Sequence, residues 1–171
     1  MKKAQNKYAG VSKWIGSLNN YGITESDFDK MEDTLTKRFG KEAPARDIIW
    51  RLFNQVIFKT NDLATLSGIY YEMALFANEE GKDSFRQREL STKMSLIQLK
   101  QQAQGVAERV EIVTAGEQSC PECQKLSRKI FTFDEALKEM PIPNKKCTHR
   151  FNKNQKPFCR CLYVPVVSMK R

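Results

Sequence analysis

Six soft side chains crowd the last third of the chain: Cys120, Cys123, Cys147, His149, Cys159 and Cys161, which are all of its cysteines and its only histidine. As spacings they read C-x2-C, then C-x-H, then C-x-C. Thiolates and an imidazole at this density point to a tetrahedral metal site. Zn2+ takes four nitrogen or sulfur ligands, commonly two from a tight C-x2-C turn and two from a second segment. In "SCPEC" Pro121 stiffens such a turn, so that both sulfurs face one point. The second pair is open. Residues i and i+2 of an extended segment share a face, so Cys159 and Cys161 both reach the ion if "CRC" is strand. If the loop ends at Cys159, one of the two ligates and the other packs. The expected ligands of Zn2+ are Cys120, Cys123, Cys147 and Cys159, with His149 and Cys161 as substitutes.

Other chemistries fit less well. A redox Cys-Pro-x-Cys pair after a strand is thioredoxin-like, but that fold needs a βαβ unit and more chain than follows here. It would also leave Cys147, Cys159 and Cys161 unexplained. Nucleobase deaminases need H-x-E and P-C-x-x-C. Here Arg150 and Phe151 follow the histidine, and Ser119 precedes Cys120. No zincin, G-x-S-x-G, P-loop or dinucleotide pattern occurs. The chain reads as non-enzymatic.

The elements that must hold these ligands fall into two textures. "GITESDFDKMEDTLTKRFGK" is a helix with Thr24 as cap, Phe28, Met31, Leu35 and Phe39 at helical spacing, and Gly40 as its stop. "APARDIIWRLFNQVIFKT" has an apolar set (Ile48, Ile49, Leu52, Phe53, Val56, Ile57) wide enough for a buried helix. "NDLATLSGIYYEMALFANEEG" starts on Asn61 and stops at Gly81, with Leu63, Leu66, Tyr70, Met73 and Phe76 as its stripe. "DSFRQRELSTKMSLIQLKQQAQ" is a fourth helix facing inward through Leu90, Met94 and Ile97, with Gly105 beyond it. After that come short β-branched or aromatic runs, "RVEIV", "RKIFTF" and "CLYVPVVSM", and a brief helix begun by Asp134. Pro165 puts the last run at a sheet edge.

The expected class is therefore α+β: a helical bundle over residues 1–104 and a basic cysteine-rich zinc module over 105–171, with about three short strands. A segment of that length cannot become rigid on apolar burial alone, so it needs a staple. A chelator is then expected to melt about the last 55 residues and spare the helices. The chain as a whole is 40% apolar with ten Phe, enough for a core. No run approaches the ~20 apolar residues of a membrane helix, and the basic start "MKKAQNKYAG" has no apolar stretch behind it, so a cytoplasmic location is expected.

The net charge of +9 is uneven. Residues 1–116 hold 17 Lys/Arg against 15 Asp/Glu, and residues 117–171 hold 12 against 5. The excess coincides with the candidate metal site. In "KKCTHRFNKNQKPFCR" the cations Lys145, Lys146, Arg150, Lys153, Lys156 and Arg160 interleave with Phe151 and Phe158. Phosphate contacts with base stacking would use such a loop.

The order of a long helix, "VEIVTAGEQSCPECQKLSRKIF", a proline-broken loop and "FCRCLYVPV" resembles the C-terminal domain of the phage Mu F-like head-morphogenesis (minor head) proteins, over about residues 84–167. Cys120 and Cys123 match that family's first pair. Cys159, Arg160 and Cys161 match its closing Cys-Arg-Cys run. The His-Pro that opens the closing run is altered, since Pro157 lacks a preceding His and His149 lies further away. Cys147 is an extra thiol, and Ser127-Arg128 stand where the family commonly has a Gly. The resemblance implies a zinc-stapled part of a virion head, with a protein partner or a head-like assembly. Zinc-stabilised nucleic-acid binding through residues 144–160 is the alternative.

Overall fold

The computed structural model describes residues 10–167; the basic start of the chain and the last residues of "CLYVPVVSM" lie outside them. Two compact units divide at Asn61/Asp62. The change of texture at 104/105 therefore lies inside the second unit, which joins two long helices to the cysteine-rich segment.

The first unit contains α1 (Ser12–Asn19), α2 (Glu25–Phe39) and α3 (Ala45–Lys59); the sequence reading did not include α1. Thr24 caps α2 through a reciprocal box with Asp27, and Gly40 ends it in the left-handed conformation. The periodicity of α3 is realised in the burial of Ile48, Ile49, Leu52, Phe53 and Val56. Trp14 of α1 meets Phe53 edge-on at 6.2 Å. Phe39, expected on the buried stripe of α2, is exposed.

The second unit opens with a helical hairpin, α4 (Leu63–Glu79) and α5 (Phe85–Gln102). Asp62, not Asn61, caps α4: its carboxylate accepts from the Thr65 N–H at 2.7 Å. The hydroxyl of Ser67 donates to the Ser91 carbonyl across the hairpin. The buried line of α5 is Arg88, Ser91, Thr92 and Leu96; Leu90, Met94 and Ile97 are only half-buried. A polar line has taken the place assigned to an apolar stripe.

Three antiparallel strands follow, β1 (Ala107–Val113), β2 (Ile130–Thr132) and β3 (Leu162–Val167), in the order β2-β1-β3. Pro165 pairs opposite Val110 on the edge strand β3, where its missing N–H costs no ladder bond. Between the strands lie α6 (Pro121–Gln124) and α7 (Phe133–Glu139). Thr132, not Asp134, caps α7 through a box with Glu135. Val110, Ile112 and Tyr163 join Leu96, Phe133, Ala136, Ile142 and all five cysteines in one buried cluster. The chain is thus α+β, with its helices preceding a small sheet and its cysteines inside the core of the second unit. Among the described residues no helix is long and apolar enough to cross a membrane.

Candidate metal centre

Three separate pieces of chain bring the thiols together. After β1 a 3-10 turn at Gly116–Gln118 leads to Cys120, which stands at the N-cap of α6 with Pro121 in the first helical position. The N–H groups of Cys123 and Gln124 both bond the Cys120 carbonyl at 3.0 Å. This tight turn puts both sulfurs on one side. The second piece is the loop behind the cis Ile142–Pro143 bond. There the Cys147 N–H bonds the Asn144 carbonyl at 3.0 Å. The third is "CRC": Cys159 and Cys161 are buried and Arg160 half-buried, the alternation of an extended run, although the strand itself begins at Leu162.

Cys120, Cys123 and Cys147 form one group of mutually close sulfurs, and Cys123, Cys159 and Cys161 form another, each within 4.8 Å. All five thiols are free and buried. The Cys120–Cys147 and Cys123–Cys159 sulfurs are both 3.8 Å apart. A disulfide requires about 2.05 Å, so these are not bonded pairs. A metal about 2.3 Å from each of four sulfurs gives a tetrahedron whose edges are about 3.8 Å. Two of the sulfur–sulfur separations thus equal a tetrahedral edge, and Cys123 is common to both groups, so the buried thiols could hold a metal ion. Of the expected ligands, Cys120, Cys123 and Cys147 fall in one group, while Cys159 falls with Cys123 and Cys161 in the other. The His149 ring does not join either group; it lies edge-on against Phe151 at 5.6 Å, with Nε2 buried and unpartnered.

Backbone amides aimed at sulfur favour the thiolate form. The Asn144 N–H points at Cys159 Sγ (3.3 Å) and the Thr148 N–H at Cys120 Sγ (3.5 Å). Burial pushes the Cys120 thiol up, but the N–H groups of Thr148 and Cys123 outweigh it and bring its pKa down to about 6. Cys159 is held well below the usual thiol range, first by the Cys147 thiol and then by Cys161. Cys147 is raised in turn by its bond to Cys159, and Cys161 likewise. Burial lifts Cys123 to about 12, with Cys159 adding to it. Without a cation, then, the cluster holds some protons as S–H donors to neighbouring thiolates. A metal ion bound there would replace them.

Two residues of the site were not foreseen. Asn144 donates from its side chain to the Glu122 carbonyl (3.0 Å) and accepts at Oδ1 from the Lys146 N–H (2.9 Å), besides its amide bond to Cys159. It thereby clasps α6, the Cys147 turn and "CRC" together. The Pro-Asn dipeptide three residues before Cys147 is the turn signal that marks it. Arg88 of α5 is buried, and its Nε and one terminal nitrogen donate to the carbonyls of Cys159 (2.9 Å) and Cys161 (2.8 Å). Nothing local in "FRQREL" announces partners more than 70 residues away.

Of the candidate phosphate contacts, Lys145, Lys146, Arg150, Lys153 and Lys156 are exposed, and Arg160 is half-buried. Phe151 is exposed, whereas Phe158 is core, stacked edge-on against Tyr71 at 5.7 Å, and has no face for a base. Lys145 and Lys156 border a cavity of about 570 Å³ whose wall includes Arg88, Cys147 and Cys159. Compared with protein families, curated proteins and solved structures, the chain gives no match.

Proposed function

We propose that this is a non-enzymatic interaction protein whose second unit is stapled by one structural Zn2+, held by Cys120, Cys123, Cys147 and Cys159, with Cys161 as the substitute ligand. The observation that carries the reading is the convergence of buried, amide-assisted thiols at tetrahedral edge distance. Bound there, the ion would supply cross-linking of three chain segments. It would stand in for apolar area that a three-stranded sheet cannot provide.

The partner is proposed to be a protein in an assembly like a phage head, with the chain in the cytoplasm or the virion. Support comes from the residue-level resemblance, and from one backbone detail. Arg128 has φ 61°, a left-handed conformation that suits glycine, at the place where the phage Mu F-like proteins commonly carry one. Elemental analysis of the purified, reduced chain tests the staple: one zinc per chain is expected, and none in Cys120→Ser. Free, titratable thiols with no metal would overturn it.

A second reading is favoured by the exposed Lys145, Lys146, Arg150, Lys153 and Lys156 in one loop: nucleic-acid phosphate as the partner. Affinity for a single-stranded oligonucleotide should then fall steeply with salt, and Lys145→Ala with Lys146→Ala should flatten that slope. Salt-independent or absent binding removes this reading and leaves the protein partner.

A further inference from the structure

Arg88 is 7% exposed, and among the described residues no carboxylate bonds it. Its guanidinium spends its donors on the carbonyls of Cys159 and Cys161 and on the Thr92 hydroxyl, and it lies over the Tyr71 ring at 5.2 Å. The ionisable groups facing it are Cys159, Tyr71 and Cys161. A guanidinium stays charged at any working pH, and a buried charge is tolerated only when an opposite charge and hydrogen bonds compensate it. Carbonyls and an aromatic face supply the bonds without the charge. The remaining source of negative charge is the thiol cluster. Four thiolates around Zn2+ leave a net charge of −2, whereas three thiolates and a neutral imidazole leave −1.

We propose that Arg88 is the buried counter-cation and positioning residue of a net-anionic, all-thiolate metal centre, and that it makes metal occupancy and the seating of α5 one event. This rests on the zinc reading above and deepens it. The planar fork fixes the two carbonyls that flank Arg160, and so sets the direction from which the Cys159 and Cys161 side chains enter the cluster. Conversely, removing the ion unties the "CRC" segment that Arg88 grips from α6 and the Cys147 loop, so its carbonyls no longer hold the guanidinium in place. The guanidinium then has reason to leave for water, taking its turn of α5 with it. The helices of the second unit are therefore expected to respond to metal, unlike the sparing of all helices that the sequence alone suggested.

The test uses the full chain with Zn2+ and Co2+ as probes. In a chelator competition Arg88→Met should weaken metal binding at least about tenfold, the scale on which groups supporting a metal's ligands act, and Arg88→Lys should fall between it and the unsubstituted chain. The Co2+ spectrum of the unsubstituted chain should have the intense sulfur-to-metal bands of four thiolates, unchanged in His149→Ala. Since Arg88→Met risks misfolding, the Arg88 Nε–H is also followed by NMR in the unsubstituted chain. It should be protected from exchange with Zn2+ bound and lose that protection on chelation. Equal affinity in all three chains, bands lost in His149→Ala, or a protected Nε–H in the metal-free protein would each overturn the proposal. A chain that binds metal but fails these tests leaves the zinc reading intact; a chain that binds none overturns both.

Discussion

The two units bury their interiors by different means. In the first, the buried side chains are Trp14, Leu18, Phe28, Ile48, Leu52, Phe53 and their apolar neighbours, and polar side chains such as Thr34 and Asn54 bond backbone carbonyls from exposed or half-buried positions. In the second, the buried set includes Asn78, Ser84, Arg88, Ser91 and Thr92 together with five thiols. The described residues show every buried polar or charged side chain on that side of Asn61/Asp62. An apolar interior is stable with whatever fills it at the right volume. A polar interior is stable only when each group has its partner, so one missing charge is felt by the whole network.

The largest expected effect separates the two directly. Replacing Cys120 and Cys123 together by Ser should abolish cooperative unfolding of the second unit, read by near-ultraviolet circular dichroism, while the first keeps its transition. Acid should act in the same direction. The Cys120 pKa is depressed to about 6, so its thiolate stabilises the fold above the ordinary thiol range and that contribution is lost as pH falls through about 6. Stability of the second unit should therefore fall progressively as pH is lowered from about 9 and level off below about 6. Stability that is flat from about pH 9 to 6 would break this link.

Next in size is Phe53→Ala. A fully buried ring in the first unit should cost about 3–5 kcal/mol in denaturant melts and leave metal content unchanged. Asn144→Ala should cost about 1–3 kcal/mol, through the unpaired carbonyl of Glu122 and the loosened amide at Cys159, and should raise the metal off-rate. The smallest change is Arg128→Gly, which relieves a left-handed backbone and should gain about 1 kcal/mol or less. A loss there would mean that the Arg128 side chain matters more than its φ.

This contrast also decides what could be read from the chain. Periodicity and caps were legible where apolar packing rules, as in α2 from Thr24 to Gly40 and in α3. The thiol cluster was legible because ligand chemistry restricts residue types and spacing. The inward face of α5 was not: Leu90, Met94 and Ile97 follow the expected rule, yet Arg88, Ser91 and Thr92 are what is buried. Hydrophobicity cannot reveal an arginine whose partners are backbone carbonyls far along the chain. The caps at Asp62 and Thr132 were missed by one and two residues, since Asn61 and Asp134 are equally good cap types and only the chain's direction of entry chooses between them.

Hydrogen exchange on the full chain, with Zn2+ bound and after chelation, tests the central claim most directly. The account predicts that amides of α5, β1 and the cysteine loops lose protection while those of α2 and α3 keep theirs. Equal loss in both units, or no change in either, would contradict a metal-stapled second unit beside a self-sufficient first.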